Sequence, residues 1–143
     1  MTKRVTTIAA AAALFAGITA VSAPTAQAVP QVTGSQVRYV FCSDNRYGND
    51  LGYIDNFGPK RVLNVTLDEH IGGSRFCTTI TENIEPGSYV FSSITNDNSP
   101  YVHAAIYSVS YPLFSGSTGA PPQETLIARD ERHRPGGYNY ALT

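Results

Sequence analysis

The chain has 143 residues with 10 basic and 11 acidic side chains, two cysteines and no tryptophan. That length admits one domain once a leader is removed and leaves too little chain for two. The charge balance lacks the clustered Lys and Arg that a phosphate backbone demands, which sets nucleic acid aside as a partner.

Lys3 and Arg4 precede an uncharged, Ala-rich run from Val5 to Val21, and Ala26-Gln27-Ala28 puts small residues at the two positions that signal peptidase reads. Residues 1–28 are therefore expected to be a secretory signal peptide cut after Ala28, with Ala26 and Ala28 as the cleavage-site residues. The alternative is retention as a short anchor. Against it, Pro24, Thr25 and Gln27 end the run before the roughly 20 apolar residues a span needs. No Cys follows closely, which opposes a lipoprotein. Removing the leader leaves 115 residues with 8 basic and 11 acidic side chains, a formal charge of −3. The expected location is secreted or extracytoplasmic, facing the cell envelope. There Cys42 and Cys77, the two thiols of the exported portion, are expected to pair as one disulfide.

Residues 29–35 read as a short linker and 36–143 as one domain. Its pattern is alternating and β-branched with turn residues about every ten positions, which predicts an immunoglobulin-like β-sandwich of seven or eight strands. Val37, Tyr39 and Phe41 share one face of the first strand, and Val40 and Cys42 the other. Leu51, Tyr53 and Phe57 mark a second strand ending at Asn56-Phe57-Gly58-Pro59. Leu63, Val65 and Leu67 alternate in a third, which the polar stretch from Asp68 to Ser74 breaks. Phe76 to Thr81 carries Cys77 inward or sideways. Glu85-Pro86-Gly87 suits a type II turn into a fifth strand, Ser88 to Thr95. Tyr101 to Tyr111 is apolar on both sides and predicts a central, longest strand. The Gly-, Ser- and Pro-rich stretch from Pro112 to Gln123 is a loop, Leu126 to Ala128 head another strand, and Tyr138 to Leu142 close the chain. Arg129, Arg132 and Arg134, mixed with Asp130 and Glu131, read as an exposed loop of paired charges.

The chemistry-bearing residues are few. His70 and His133 fall in polar stretches and look solvated, whereas His103 alternates with Val102 and Ala104 and reads as a partly buried, satisfied histidine. Ser115-Gly116-Ser117-Thr118-Gly119 has Ser115 where a nucleophile elbow requires Gly. Asp44, Asn45, Asn49, Asp50, Asp55 and Asn56 are rich in oxygen donors suited to calcium, but without EF-hand spacing, and Asx residues equally serve tight turns. Asn64-Val65-Thr66 matches a glycosylation sequon and is weak evidence alone. No catalytic residue, metal or cofactor is expected. Nine tyrosines suit either half-buried strand positions or a contact surface.

Several stretches, in order, resemble the extracytoplasmic domain of the MmpS family, small accessory proteins of RND-type MmpL lipid exporters in the actinobacterial envelope. They are Val37-Arg38-Tyr39, Leu51-Gly52-Tyr53-Ile54-Asp55-Asn56-Phe57-Gly58, Val65-Thr66-Leu67, Val102 to Val109, and Tyr138-Asn139-Tyr140-Ala141-Leu142. The family's Pro-Trp pair is replaced by Asp68-Glu69, and its two cysteines by Ala104 and Ala141, so the likeness implies a relocated disulfide at Cys42 and Cys77. It further implies a non-enzymatic domain that works by contact with a membrane transporter or an exported lipid. A rival expectation is a small inhibitor of an extracellular hydrolase. Cys77 followed by Ile84-Glu85-Pro86-Gly87, together with Arg46-Tyr47, is similar to motifs of the tendamistat-type amylase inhibitors.

Overall fold

The computed structural model describes residues 30–111, 121–133 and 139–142. The expected leader with Ala26 and Ala28, the stretch 112–120 with its serine motif, and residues 134–138 with Arg134 lie outside them. Among the described residues there are nine strands: β1 (Gln36–Ser43), β2 (Asn49–Asp55), β3 (Gly58–Val65), β4 (Glu69–Gly72), β5 (Arg75–Asn83), β6 (Ser92–Asn96), β7 (Tyr101–Ser110), β8 (Gln123–His133) and β9 (Asn139–Leu142). They form two antiparallel sheets, β4-β5-β1-β7-β8 and β3-β2-β6-β9.

This order follows the immunoglobulin arrangement. β4, β5 and β1 take the places of strands D, E and B, while β3, β2, β6 and β9 take those of C′, C, F and G. The β7–β8 hairpin lies between the F and G equivalents in sequence and pairs along the flank of β1 where strand A would sit.

Alternation builds the core. Val37, Tyr39 and Phe41 point from β1 into the sandwich and are fully buried, where they meet Leu51 and Tyr53 of β2, Ile94 of β6, and Val102, Ala104 and Ile106 of β7. The Tyr39 ring lies 5.5 Å from Tyr53 and 6.4 Å from Phe41, so three aromatics fill the centre. β7 runs between β1 and β8, which explains why Tyr101 and Ala105, on its other face, are buried as well. The Pro86-Gly87 turn forms as expected: Ser88 N–H donates to the Glu85 carbonyl at 3.1 Å, and Gly87 supplies the positive φ of 88°.

Several expectations are corrected. The stretch from Asp68 to Ser74 contains β4, paired to β5 with Glu69 opposite Cys77, so His70 sits on a strand. Leu63 does not share a face with Val65 and Leu67. Asn64 adopts φ 57° in a bulge opposite Asp50 that resets the alternation, leaving Leu63 60% exposed and Leu67 buried. Phe57 is 93% exposed at the β2–β3 turn. The fifth expected strand begins only at Ser92, because Tyr89 makes an isolated bridge to Gln31. Arg129, Arg132 and His133 belong to β8, which at 11 residues exceeds the 10 of β7. The described part of the expected linker is packed rather than loose: Val32 is buried and bonded to Ser88, and Gly34 N–H donates to Ser108 Oγ at 2.7 Å.

Candidate functional site: an open trough on the four-stranded sheet

Because Leu51 and Tyr53 face the core, Asp50 and Gly52 face outward from β2. In register beside Gly52 stand Arg61 on β3 and Ser93 on β6, with Thr95 opposite Asp50. Gly52 has no side chain and Ser93 a small one, so the sheet surface dips between Pro59, Lys60 and Arg61 on one wall and Phe91 and Asp97 on the other. The result is an open trough of about 600 Å³. A Cβ on Gly52 would stand 2.5 Å from Ser93 Oγ and 3.6 Å from Phe91 Cε2, so the half-buried Phe91 ring leans over bare backbone.

The charged groups at the trough are mostly paired. Asp50 binds Arg61 at 3.3 Å and accepts the Asn64 N–H at 3.1 Å. Lys60 lies 3.5 Å from Asp55 and 5.8 Å from the Tyr53 ring, and these neighbours, Tyr53 first, raise its ammonium above the ordinary range. Asp97 is exposed at the rim. Such a surface offers hydrogen-bonding groups and one aromatic ring to solvent.

A second cluster lies on the outer face of the five-stranded sheet. Cys42 and Cys77 sit directly opposite one another on β1 and β5 and form the disulfide, with Cα atoms 4.1 Å apart. This face is the outer one, so Cys77 is not carried inward. Tyr101 covers the bridge, and the Arg75 guanidinium sits 3.8 Å from its ring centroid. His133 lies 4.6 Å and His103 6.4 Å from the same ring. His103 is partly buried as expected but not satisfied: its Nδ1 has no hydrogen-bond partner and stands 3.8 Å from Glu131. Burial lowers its pKa, Arg129 and Arg75 lower it further, and Glu131 and Asp130 oppose them.

The structure gives Asn49, Asp44, Asp50 and Asp55 of the oxygen-rich segment structural partners. Asn49 is buried, its amide donating to the carbonyls of Asn45 and Arg46 and its oxygen accepting from Asn96. Asp44 pairs with Arg75, Asp50 with Arg61, and Asp55 accepts the Phe57 N–H. His70 bonds the Gly73 carbonyl and lies tilted against the Phe76 ring at 5.1 Å.

Sequence reasoning passed over the trough. Its available signal was Gly52, a glycine inside an alternating strand, which marks close approach of another group. Compared with family models, with curated proteins and with solved structures, the chain matches none.

Proposed function

We propose that this chain is an exported, non-enzymatic recognition domain that works by contact at the cell envelope, in the manner of an MmpS-like accessory protein assisting membrane transport or lipid export. The observation that carries the reading is the trough over Gly52. It is preformed, open to solvent and built on three hydrogen-bonded strands, so it offers a rigid surface at low entropic cost. One of the two eight-residue stretches of the MmpS resemblance, Leu51 to Gly58, contributes to the trough floor and the turn beside it. The Cys42–Cys77 bridge suits an oxidising exterior.

Site-specific photocrosslinking from position 61 in intact cells tests this reading. Recovery of a polytopic transporter supports the accessory role. Adducts confined to cytosolic proteins, with the leader intact by mass, would overturn it.

One observation favours the second reading, inhibition of an extracellular hydrolase. Phe57 projects from a two-residue hairpin turn that is closed by the Asp55–Gly58 pair and braced by the Phe57 N–H bond to Asp55 at 2.8 Å. A rigid aromatic held outward is the shape that fills an enzyme's specificity pocket. Stoichiometric loss of activity in a panel of secreted amylases and proteases, abolished by Phe57→Ala, supports it. Full activity at micromolar protein retires it.

A further inference from the structure

We infer that the trough over Gly52 binds a neutral oligosaccharide. The inference rests on the recognition reading above and specifies its ligand.

Charge is the first argument. Asp50 is paired with Arg61 and Lys60 with Asp55, which leaves the exposed Asp97 at the rim, so the trough has no cationic surplus to hold an anionic ligand. The second argument is donor and acceptor type. Asp97 at the rim and Asp50 on the floor are acceptors, Arg61 is a donor, and Ser93 and Thr95 hydroxyls are both. Sugar hydroxyls, which donate and accept at once, meet every one of these groups, and those that donate to carboxylates make the stronger charge-assisted bonds. The third argument is shape. A pyranose presents an apolar face of C–H groups with hydroxyls at its rim. Here the Phe91 ring and Pro59 supply an apolar contact at one end of the trough, while the bare backbone of Gly52 removes the side chain that would hold a ring away. An open trough crossing three strands also suits a chain of sugars better than a compact metabolite, which needs deeper enclosure to bury most of its surface.

The test is an amide-resolved NMR titration of the purified, oxidised protein with neutral hexasaccharides of glucose, mannose, galactose and N-acetylglucosamine, and with hexagalacturonate as the charged control. At about 10 mM sugar, a range that detects Kd values near 1 mM, at least one neutral hexasaccharide is expected to shift Gly52, Ser93 and Thr95 saturably. Phe91→Ala should weaken that binding about tenfold. Asp97→Asn changes one exposed carboxylate and leaves the core untouched, so it tests the site even if the Phe91 variant fails to fold; it should weaken binding several-fold. No saturable shift with any neutral sugar, shifts centred on the Tyr101 face, or tighter binding of hexagalacturonate would overturn the inference. Photocrosslinking to a transporter alongside a failed sugar titration would remove the ligand assignment and leave the accessory reading standing.

Discussion

Tyr39 shows how a single polar atom is accommodated in the core. Its ring is fully buried between Phe41 and Tyr53, and its hydroxyl donates to the Ile54 carbonyl at 2.8 Å. Ile54 lies beyond the last β2–β6 pair, Tyr53 with Ser92, so the Tyr39 hydroxyl serves a carbonyl past the end of that ladder. Burial pushes the phenol's pKa well above its ordinary value. Tyr39→Phe keeps the packing and orphans that carbonyl, and should cost about 1–2 kcal/mol in urea unfolding with an unchanged m-value. His103 yields a pH dependence. Its folded pKa lies below the unfolded value of 6.5, so the unfolded chain binds the proton more readily. Its contribution is therefore intact above about pH 6.5 and lost progressively as pH falls through that value toward the folded pKa. Unfolding midpoints measured from pH 7.5 down to 5 should fall less steeply in His103→Gln than in the parent. A parallel slope would contradict this account. Of these two residues, Tyr39 was legible from its place in the Val37-Tyr39-Phe41 alternation. The partner shared by His103 and His133 was not, because their common ring, Tyr101, is reached only through the pairing of β7 with β8.

At the scale of elements, the strands whose alternation runs unbroken were readable, and those interrupted by a bulge or a short hairpin were not. β1 alternates apolar residues from Val37 to Phe41 and β7 from Val102 to Ile106, so their faces followed from period alone. β3 has no such regularity because Asn64 inserts an extra residue opposite Asp50, and β4 is only four exposed residues whose strand character comes from pairing with β5. The trough is not legible in the sequence for a related reason. Gly52, Arg61 and Ser93 are neighbours only in the register of three strands, and register between distant segments is not written in local composition. The bulge also makes a prediction about β3. Asn64 holds a left-handed conformation that glycine adopts freely and a β-branched side chain resists, and its N–H is bound to Asp50. Asn64→Gly should leave stability within about 0.5 kcal/mol, whereas Asn64→Val should lose about 1–2 kcal/mol, as read from thermal unfolding. Equal stability of the two variants would show that the bulge is not held by backbone conformation.

The whole molecule is organised around β1, which joins the β4–β5 hairpin on one side to the β7–β8 hairpin on the other and faces β2 and β6 across the core. None of its partner strands is its neighbour in sequence, so the sheet cannot form by zipping consecutive hairpins. Some long-range closure must come first, and closing a loop costs chain entropy before contacts repay it. The covalent bridge lies at that juncture: Cys42 and Cys77, 35 residues apart, sit in register between β1 and β5. With the bridge intact the denatured chain has already closed this loop, a saving of about 3 kcal/mol on the logarithmic loop-closure estimate. If β1–β5 pairing belongs to the folding transition state, that saving enters the folding rate. If the pairing forms late, it enters the unfolding rate instead. The central position of β1 favours the first case, so reduction, or the Cys42→Ser/Cys77→Ser pair, should slow refolding by tenfold or more with a much smaller effect on unfolding. Stopped-flow chevrons of the oxidised and reduced protein separate the two outcomes. A reduced chain that refolds at the oxidised rate and unfolds faster would place β1–β5 pairing after the barrier, and would move the nucleus to the β7–β8 hairpin, whose strands meet without the bridge.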